Sequence, residues 1–486
     1  MSAPGRDFLD YMVANIEDDT PRLIYADWLE ENGHELRAEF VRIQLRRAAL
    51  PAWDALQVPL RLREQELMTL HGEEWLAEMP TVEGARWEGF RRGIVAEVSF
   101  ASFEAMRMSA HACRAVAPVE AVTVRWPRRR EGQQDVEPIA ELRELTLTGN
   151  PDYEAFEWVA DSPQLSTLRV LTALGLWGRS LEQLVASSFL ANLKSLRLPS
   201  NNLGNPGIFA LTHSATLSAL EELDFSSQSR HERYIDDPVI RAAGMEALMR
   251  WPGLATVRSL KLHGNDLSRD GLRALLRSTH TGALKELSLR DSRLDAQSIA
   301  ELATAQPLLR LETLDLGENI LKNVGAEYVA LAPCLSELKS LKLDRCEVSM
   351  TGAQLFAKKA LFLGGLRQLD ISHNYFGWNG LVSLLERRPA ALHSLQMRDN
   401  NLSDKGAEIL AISPASDTLL EVDLSQNDLG PVAVQALGNT AHLDKLLVLR
   451  LADNPINASS AAALAASSLG KRLAVLELDN FPAAPR

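Results

Sequence analysis

The sequence has 486 residues, of which 46% are hydrophobic and 24% are charged, so it is typical of a folded globular protein and too long for one ordinary core. Its formal net charge of -13 argues against non-specific binding to nucleic acid or to an anionic membrane. The three cysteines, Cys113, Cys334 and Cys346, have no Cys-x-x-Cys spacing, which excludes a disulfide framework and a cysteine-based zinc site. We expect buried thiols in a reducing compartment.

The amino terminus, Met-Ser-Ala-Pro-Gly-Arg-Asp-Phe, lacks the charged start and apolar run of a secretory signal. No stretch of the sequence has the length and apolar character of a membrane-spanning helix. We therefore expect a cytoplasmic protein that does not associate with membranes. Its amino-acid composition is typical of a bacterial protein.

Three helices are predicted at the start of the chain. The first covers residues 21–31, with Thr20 as its cap, and the second and third cover residues 35–50 and 56–70. The apolar face of the first helix is expected to consist of Ile24, Tyr25, Trp28 and Leu29.

The segment DDTPRLIYADWLEENG, from Asp18 to Gly33, and its continuation RAEFVRIQ resemble a bacterial module called the repeat-companion domain. The resemblance covers roughly residues 6–48 and implies a small helical domain in front of a repeat array. The acidic residues of this segment occupy capping, solvent-facing and helix-end positions, so we interpret these residues as structural rather than as an active site. They are Asp18, Asp19, Asp27 and Glu30.

One pattern, Leu-x-x-Leu-x-Leu-x-x-Asn-x-Leu, occurs four times in succession in residues 257–348. Its ninth position falls at Asn265, Ser292, Asn319 and Cys346, so the period is 27 residues. A fixed period of this length with this consensus is the signature of a leucine-rich repeat solenoid. Further copies begin at Leu142, Leu165, Leu193, Leu220, Leu366, Leu392, Leu419, Leu446 and Leu473.

Each copy predicts one short strand and one helix, since alternating leucines are followed by a glycine and a helical pattern. The ninth residue is expected to bond backbone groups of its own turn and of the adjacent turn. The period and the glycine-started helix resemble the ribonuclease-inhibitor subclass of leucine-rich repeats, also seen in the activator of the Ran GTPase. The expected fold is therefore an α/β solenoid shaped as a horseshoe, with parallel strands on the concave face and helices on the convex face.

The predicted domains are a helical repeat-companion cap in residues 1–80 and the solenoid in residues 81–486, with degenerate repeats up to residue 140. An extended pattern in residues 86–100 is expected to be the strand that opens the sheet. Residues 229–238 interrupt the repeat period and are predicted to form a surface loop.

No motif of an active site is present: the sequence has no phosphate-binding loop, dinucleotide fingerprint, Gly-x-Ser-x-Gly elbow or His-Glu-x-x-His pattern. Its histidines are dispersed and have no metal-ligand spacing. We therefore predict a protein that is not an enzyme and has no catalytic, cofactor-binding or metal-binding residues.

A protein partner is predicted on the concave face or rim of the repeats. The strand positions that alternate with the leucines carry both signs of charge and few aromatic residues, which suits charge complementarity with a protein better than stacking on nucleic acid bases. Simple solvation of these positions is the alternative. The candidate residues are Arg197, Lys261, His263, Arg290, Asp315, Lys342, Asp344, Asp370, Arg398 and Asp423.

One repeat departs from the others in its aromatic residues. Phe376 takes a buried leucine position, and Tyr375 and Trp378 take positions that are polar or small in most repeats. We interpret these two as exposed anchors for a partner, with packing against the next repeat as the alternative. The same interpretation applies to Trp177.

Two other functions stay open. The resemblance to the Ran activator implies regulation of a partner enzyme, such as a small GTPase, in an activator-like or inhibitor-like way. The last strand, in residues 473–478, is a candidate open edge through which the protein could pair with a second copy and form a homodimer.

Overall fold

The computed structural model describes residues 11–12, 15, 18–126, 142–150, 159–176, 180–228, 239–304 and 310–478. Unit 1 of the fold comprises Met1–Ala52, Pro59–Ile240 and Trp251–Val257, and unit 2 comprises Trp53–Val58, Arg241–Arg250 and Arg258–Arg486. Trp177 and the predicted loop in residues 229–238 lie outside the described residues. None of the described helices has the length and apolar character needed to cross a membrane.

The amino-terminal helices are α1 (Thr20–Glu31), α2 (Glu35–Ala49) and α3 (Gln57–Ala77). The carboxylate of Asp18 accepts a hydrogen bond of 2.9 Å from the Thr20 amide, so Asp18 supplies the side-chain contact that we had predicted from Thr20. Hydrogen bonding from the side chain and then from the amide of Thr20 lowers the pKa of Asp18. The predicted apolar face of α1 is wrong at Ile24, whose side chain is 54% exposed.

Arg22 lies on the buried side of α1 because its guanidinium pairs with the buried carboxylate of Glu120. A buried charge is stable only with such a partner, and sequence periodicity does not reveal the partner. Other acids of the segment also lie in ion pairs. The pairs are Asp27 with Arg42 at 2.7 Å, Glu30 with Arg42 at 2.6 Å, and Asp19 with Arg92 at 3.0 Å.

The single strand predicted for residues 86–100 is a hairpin. Strands β1 (Ala85–Arg91) and β2 (Ile94–Phe100) are antiparallel. Arg92 and Gly93 join them with φ of 48° and 84°, and two successive positive φ angles give the tight turn of a two-residue hairpin. The sequence prediction missed the turn because Arg-Gly is not one of the usual turn pairs.

In unit 1, strand β2 starts a parallel series in which each strand pairs with the next. Its strands are β3 (Ala121–Arg125), β4 (Glu144–Thr148), β5 (Val170–Ala173), β6 (Ser195–Arg197) and β7 (Glu222–Asp224). The helices between them are α4 (Phe103–Arg114), α5 (Ser180–Ala186) and α6 (Gly204–Thr212).

Unit 2 repeats one strand and one helix, and its strands pair in parallel with the central leucine or valine of each strand in register. Its strands are β8 (Ser259–Lys261), β9 (Glu286–Ser288), β10 (Thr313–Asp315), β11 (Ser340–Lys342), β12 (Gln368–Asp370), β13 (Ser394–Gln396), β14 (Glu421–Asp423), β15 (Val448–Arg450) and β16 (Val475–Glu477). Its helices are α7 (Ala242–Arg250), α8 (Ser268–Arg277), α9 (Ala296–Thr304), α10 (Lys322–Leu331), α11 (Met350–Lys359), α12 (Gly377–Glu386), α13 (Ser403–Ile412), α14 (Pro431–Gly438), α15 (Ala458–Ala466) and α16 (Ser468–Arg472).

The consensus leucines fill the space between the strands and the helices. In the repeat of β10, Leu311, Leu314, Leu316 and Leu321 are each 0 or 1% exposed. Helices of successive repeats pack against one another on the far side of these leucines. The predicted α/β leucine-rich repeat solenoid is confirmed.

In most repeats of unit 2 the ninth residue ties two turns together, as predicted, whereas the Ser292 hydroxyl donates within its own turn, to the Arg290 carbonyl at 3.3 Å. The Asn319 Oδ1 accepts hydrogen bonds from the amides of Ser292 and Leu294 at 3.0 and 2.9 Å. Its Nδ2 donates to the carbonyls of Leu289 and Leu316 at 2.8 and 2.9 Å. The same role falls to Asn374, Asn400, Asn427 and Asn454.

Cys346 takes the asparagine position with a thiol. Its Sγ donates to the carbonyl of Leu316 at 3.4 Å. Burial raises the pKa of this thiol to about 12, so the proton that makes the bond is retained at neutral pH. All three cysteines are buried and free, as expected.

Unit 2 includes Trp53, which lies before α3 in the sequence. The Trp53 carbonyl is 3.0 Å from Nε2 of His393, and the Arg367 guanidinium lies 4.6 Å from the centre of the Trp53 ring. His393 is 3% exposed, and its Nδ1 has no hydrogen-bond partner among the described residues. This geometry fits a neutral imidazole that donates from Nε2.

Burial is the main cause that lowers the pKa of His393, and the positive charge of Arg367 lowers it further. The Trp53 carbonyl and the carboxylates of Asp54 and Glu421 act in the opposite direction and do not outweigh burial. Protonation would also place a second N–H donor on the buried Nδ1, where it has no acceptor.

We expect acid to weaken unit 2 through His393. A histidine with a lowered folded pKa contributes stability above its unfolded pKa of about 6.5, and that contribution is lost as pH falls towards and through the folded pKa. Urea denaturation between pH 5 and 8 should therefore show a steeper loss of unfolding free energy in wild type than in His393→Gln. The exposed His213→Gln serves as a control that keeps the wild-type slope. Equal slopes for His393→Gln and wild type would contradict this account.

Candidate protein-binding surface

In unit 2, the strand side chains that alternate with the buried leucines form one face of the sheet, here called the strand face. It consists of the first and last residue of each strand from β8 to β16 and of the residue two positions beyond the last one. Arg197 holds the corresponding position on β6 in unit 1, where it contacts Glu222 at 2.7 Å. Predicted residues on the strand face are Lys261, His263, Arg290, Asp315, Lys342, Asp344, Asp370, Arg398 and Asp423.

Arg290 is the centre of an ion-pair network on the strand face. Its guanidinium extends across the repeat of β10 and contacts both carboxylate oxygens of Asp344, at 2.7 and 2.6 Å. It also contacts Glu318 at 2.7 Å. The hydrogen bonds to Asp344 are the main cause that raises the pKa of Arg290. A bidentate pair of this kind fixes both side chains, and Asp344 is only 5% exposed.

Gly317 lies beneath this ion pair. A Cβ atom at residue 317 would overlap Nη1 of Arg290 and Oδ1 of Asp344. The glycine therefore leaves the space through which the guanidinium reaches from one repeat to the second repeat beyond it. Arg398 makes a similar long reach to Asp453, at 2.6 Å.

The aspartates at the last position of several strands have a structural hydrogen bond. Their Oδ1 accepts the amide proton of the residue two positions later, at 3.0 Å for Asp315, 3.0 Å for Asp370 and 2.8 Å for Asp423. Sequence reasoning missed this role, although the recurring Asp-x-Ser or Asp-x-Gly pattern signals it. Solvation alone does not account for these residues.

Charge on the strand face is therefore less evenly balanced than the sequence suggests. Arg290 and Arg398 are neutralised by acids of later repeats, and Lys342 lies 3.8 Å from Asp315. Asp370 and Asp423 have no ion-pair partner within the described part of the chain. Burial raises the pKa of Asp370, and the hydrogen bonds from Ser372 and the positive charge of Lys342 do not outweigh it.

Both predicted aromatic anchors are exposed. Tyr375 is 60% exposed and Trp378, in the first turn of α12, is 38% exposed. Phe376 between them is buried at 1% exposure, as predicted from its leucine position. A role of Tyr375 and Trp378 as anchors for a partner stays a prediction.

Three apolar side chains that sequence reasoning missed are exposed in the two preceding repeats. Ile320 is 55% exposed, Val324 is 50% exposed and Met350 is 40% exposed. They occupy the first, fifth and fourth positions after a ninth-position residue, and Tyr375 and Trp378 occupy the first and fourth positions after Asn374. We call the set Ile320, Val324, Met350, Tyr375 and Trp378 the apolar rim.

In the part of the chain that the structure describes, no cluster of three or more His, Cys, Asp or Glu side chains is placed to hold a metal ion. The strand at the carboxyl end, β16, pairs with β15 in parallel. Pairing of its other edge with a second copy stays a prediction.

We expect Gly317→Ala to destabilise the protein by about 1–3 kcal/mol, because the added methyl group forces Arg290 or Asp344 out of the ion pair. The loss should appear in the urea midpoint with an unchanged m-value. Gly282→Ala is the matched control, since a Cβ atom there meets nothing within 4 Å, and it should change stability by less than about 0.5 kcal/mol. Equal effects of the two substitutions would show that the ion pair tolerates displacement.

The fold resembles solved structures that share little sequence with it. An internalin from Listeria monocytogenes matches at a TM-score of 0.40 and 18% identity, covering 75% of this chain and 87% of that one. A structure of a TLR13-ssRNA13 complex matches at a TM-score of 0.41 and 18% identity, covering 75% and 56%. At these TM-scores neither likeness carries an argument about function.

Sequence comparisons are more informative about the repeats. A family model described as Leucine Rich repeat matches residues 190–211, 391–411 and 415–438. The chain is 32% identical over 280 residues to a ribonuclease inhibitor from Sus scrofa and 29% identical over 266 residues to one from Mus musculus. It spans 58% and 55% of the length of these relatives, and the matches cover 53% and 51% of this chain. The chain is a leucine-rich repeat protein, and its repeats are similar to those of ribonuclease inhibitors.

Proposed function

We propose that this protein is a non-enzymatic scaffold that binds a protein partner through the repeats of unit 2. The observation that carries the proposal is the apolar rim, in which five large apolar side chains are exposed in three consecutive repeats. Apolar residues exposed as a group, and aromatic ones above all, are typical anchors of protein interfaces.

The strand face supplies the polar part of the proposed interface. Asp370 lies in the same repeat as Tyr375 and Trp378, and Asp423 lies two repeats further on. Because these two carboxylates have no ion-pair partner among the described residues, a partner with lysine or arginine side chains would complement them. The ion pairs of Arg290 and Arg398 hold neighbouring side chains in place before binding, which lowers the entropy cost of association.

The names of the relatives support a second, narrower candidate. Both are named as inhibitors of an enzyme, and they match about half of this chain. An inhibitor-like regulator of a partner enzyme would use the same surface of unit 2, with an enzyme as the bound protein. The hypothesis that the partner enzyme is a small GTPase rests on the sequence resemblance alone. A cytoplasmic location, a bacterial source, the repeat-companion domain and the exclusion of nucleic acid also stay predictions.

The first experiment maps contact at the rim. A photo-crosslinking amino acid at residue 378 should capture a partner protein in native lysate, and the same group at residue 361 should not. Leu361 is the control because its side chain is 88% exposed and lies outside the apolar rim.

With the captured partner purified, Tyr375→Ala together with Trp378→Ala should weaken binding by at least about 2 kcal/mol, roughly thirtyfold. Leu361→Ala should leave the affinity unchanged. Full affinity of the aromatic double variant would exclude the rim as the anchor.

The second experiment tests the charge of the strand face. Asp370→Asn together with Asp423→Asn keeps an oxygen that can accept the amide protons of Ser372 and Ser425, so the fold should be retained. Association with the purified partner should become slower and less sensitive to salt, because two carboxylates that attract a basic surface are removed. The exposed Asp428→Asn is the control. An unchanged salt dependence would show that the partner does not contact this part of the strand face.

A further inference from the structure

Unit 1 contains an open cleft of about 440 Å³ beside helix α2 and strands β1 to β5. Five arginines line it, together with four glutamates. The arginines are Arg47, Arg91, Arg92, Arg143 and Arg169. A cleft with this lining is built for a charged ligand rather than an apolar one.

Every glutamate of the cleft has an arginine partner. Arg91 contacts Glu97 at 2.6 Å and Glu144 at 2.9 Å. Arg47 contacts Glu64, and the fourth glutamate is the partner of the buried arginine of α1. The negative charge of the cleft is therefore compensated within unit 1.

Two of the arginines are not compensated in this way. Arg143 Nη1 lies 3.5 Å from the carbonyl oxygen of Thr167, and Arg169 Nη1 donates to the carbonyl oxygen of Asn192 at 2.9 Å. Neither guanidinium contacts a carboxylate among the described residues. The Nε of Arg143 is buried and has no hydrogen-bond partner there. Each guanidinium has five N–H donors and a fixed positive charge, so both can still bind an anion.

The backbone places these two arginines side by side. Arg143 and Arg169 immediately precede the paired strands β4 and β5, and the Val170 amide donates to the Arg143 carbonyl at 2.9 Å. Neighbouring strands are about 4.8 Å apart, a distance at which two guanidiniums can share the oxygens of one tetrahedral anion. Two uncompensated positive charges match the charge of about −2 on a phosphate group at neutral pH.

We propose that the cleft of unit 1 binds a phosphate group, either as inorganic phosphate or on a small phosphate monoester, between Arg143 and Arg169. The guanidinium N–H groups donate to the phosphate oxygens. Arg91 and Arg47 stay in their ion pairs and line the same cleft. This site is independent of the proposed partner surface, which lies in unit 2.

Calorimetric titration of the full chain with inorganic phosphate and with phenyl phosphate, at constant ionic strength set with chloride, tests the proposal. We expect saturable binding of at least one of the two ligands and no saturable binding of acetate. Tighter binding of phenyl phosphate would identify the site as one for a monoester, and equal or tighter binding of inorganic phosphate would identify free phosphate as the ligand.

The variants Arg143→Gln together with Arg169→Gln should weaken binding at least about tenfold. Lys194→Gln is the matched control, because Lys194 has the same position in the next repeat and is already paired with Glu221 at 3.0 Å. Arg169→Gln alone, whose bond to Asn192 is exposed, keeps the test valid if the double variant does not fold. Absence of saturable binding of both phosphates, or wild-type affinity in the folded arginine variants, would overturn the proposal.

Discussion

The hydrogen bonds of the ninth-position side chain are the interaction on which the repeats depend. At that position the chain leaves the sheet and its amide and carbonyl groups have no strand to pair with, so each would be buried without a partner. One asparagine side chain satisfies groups of two successive turns, as Asn319 does for residues 289–294 and 316. This bond fixes the spacing of the repeats. The buried leucines then recur at constant positions, and the strand positions that alternate with them face away from the core.

The side chains of the strand face are not simply solvated. Arg290 and Arg398 bridge over an intervening repeat to acids about two periods later in sequence, which couples distant repeats through charge. The Arg290 side chain can extend across the intervening repeat only because that repeat has a small residue beneath it, Gly317. Last-position aspartates are likewise held by backbone amides. The strand face therefore presents a fixed array of side chains, which is the condition for selective recognition at a low entropy cost.

The proposed surfaces differ in their physical character. Binding at the apolar rim would be driven by removing apolar area from water, and the strand face would add charge complementarity and selectivity. The cleft of unit 1 is suited to a small anion, because its two uncompensated guanidiniums lie among arginines that are already paired. A protein partner and a phosphate ligand would thus be recognised by different chemistry in different units of the chain.

The sequence by itself determined the repeat period, the α/β class, the buried leucines and the role of the ninth residue, because these depend on local pattern and backbone chemistry that recur every 27 residues. It also located Tyr375 and Trp378 as exposed aromatics, since they depart from that pattern. Only the tertiary structure decided which polar and charged groups pair with one another: the partners of Arg22, Arg290 and His393 lie tens to hundreds of residues away in sequence. The tertiary structure also decided the hairpin turn at Arg92. Pairing over such distances is set by the packing of repeats and helices, and no local pattern of residue types encodes it.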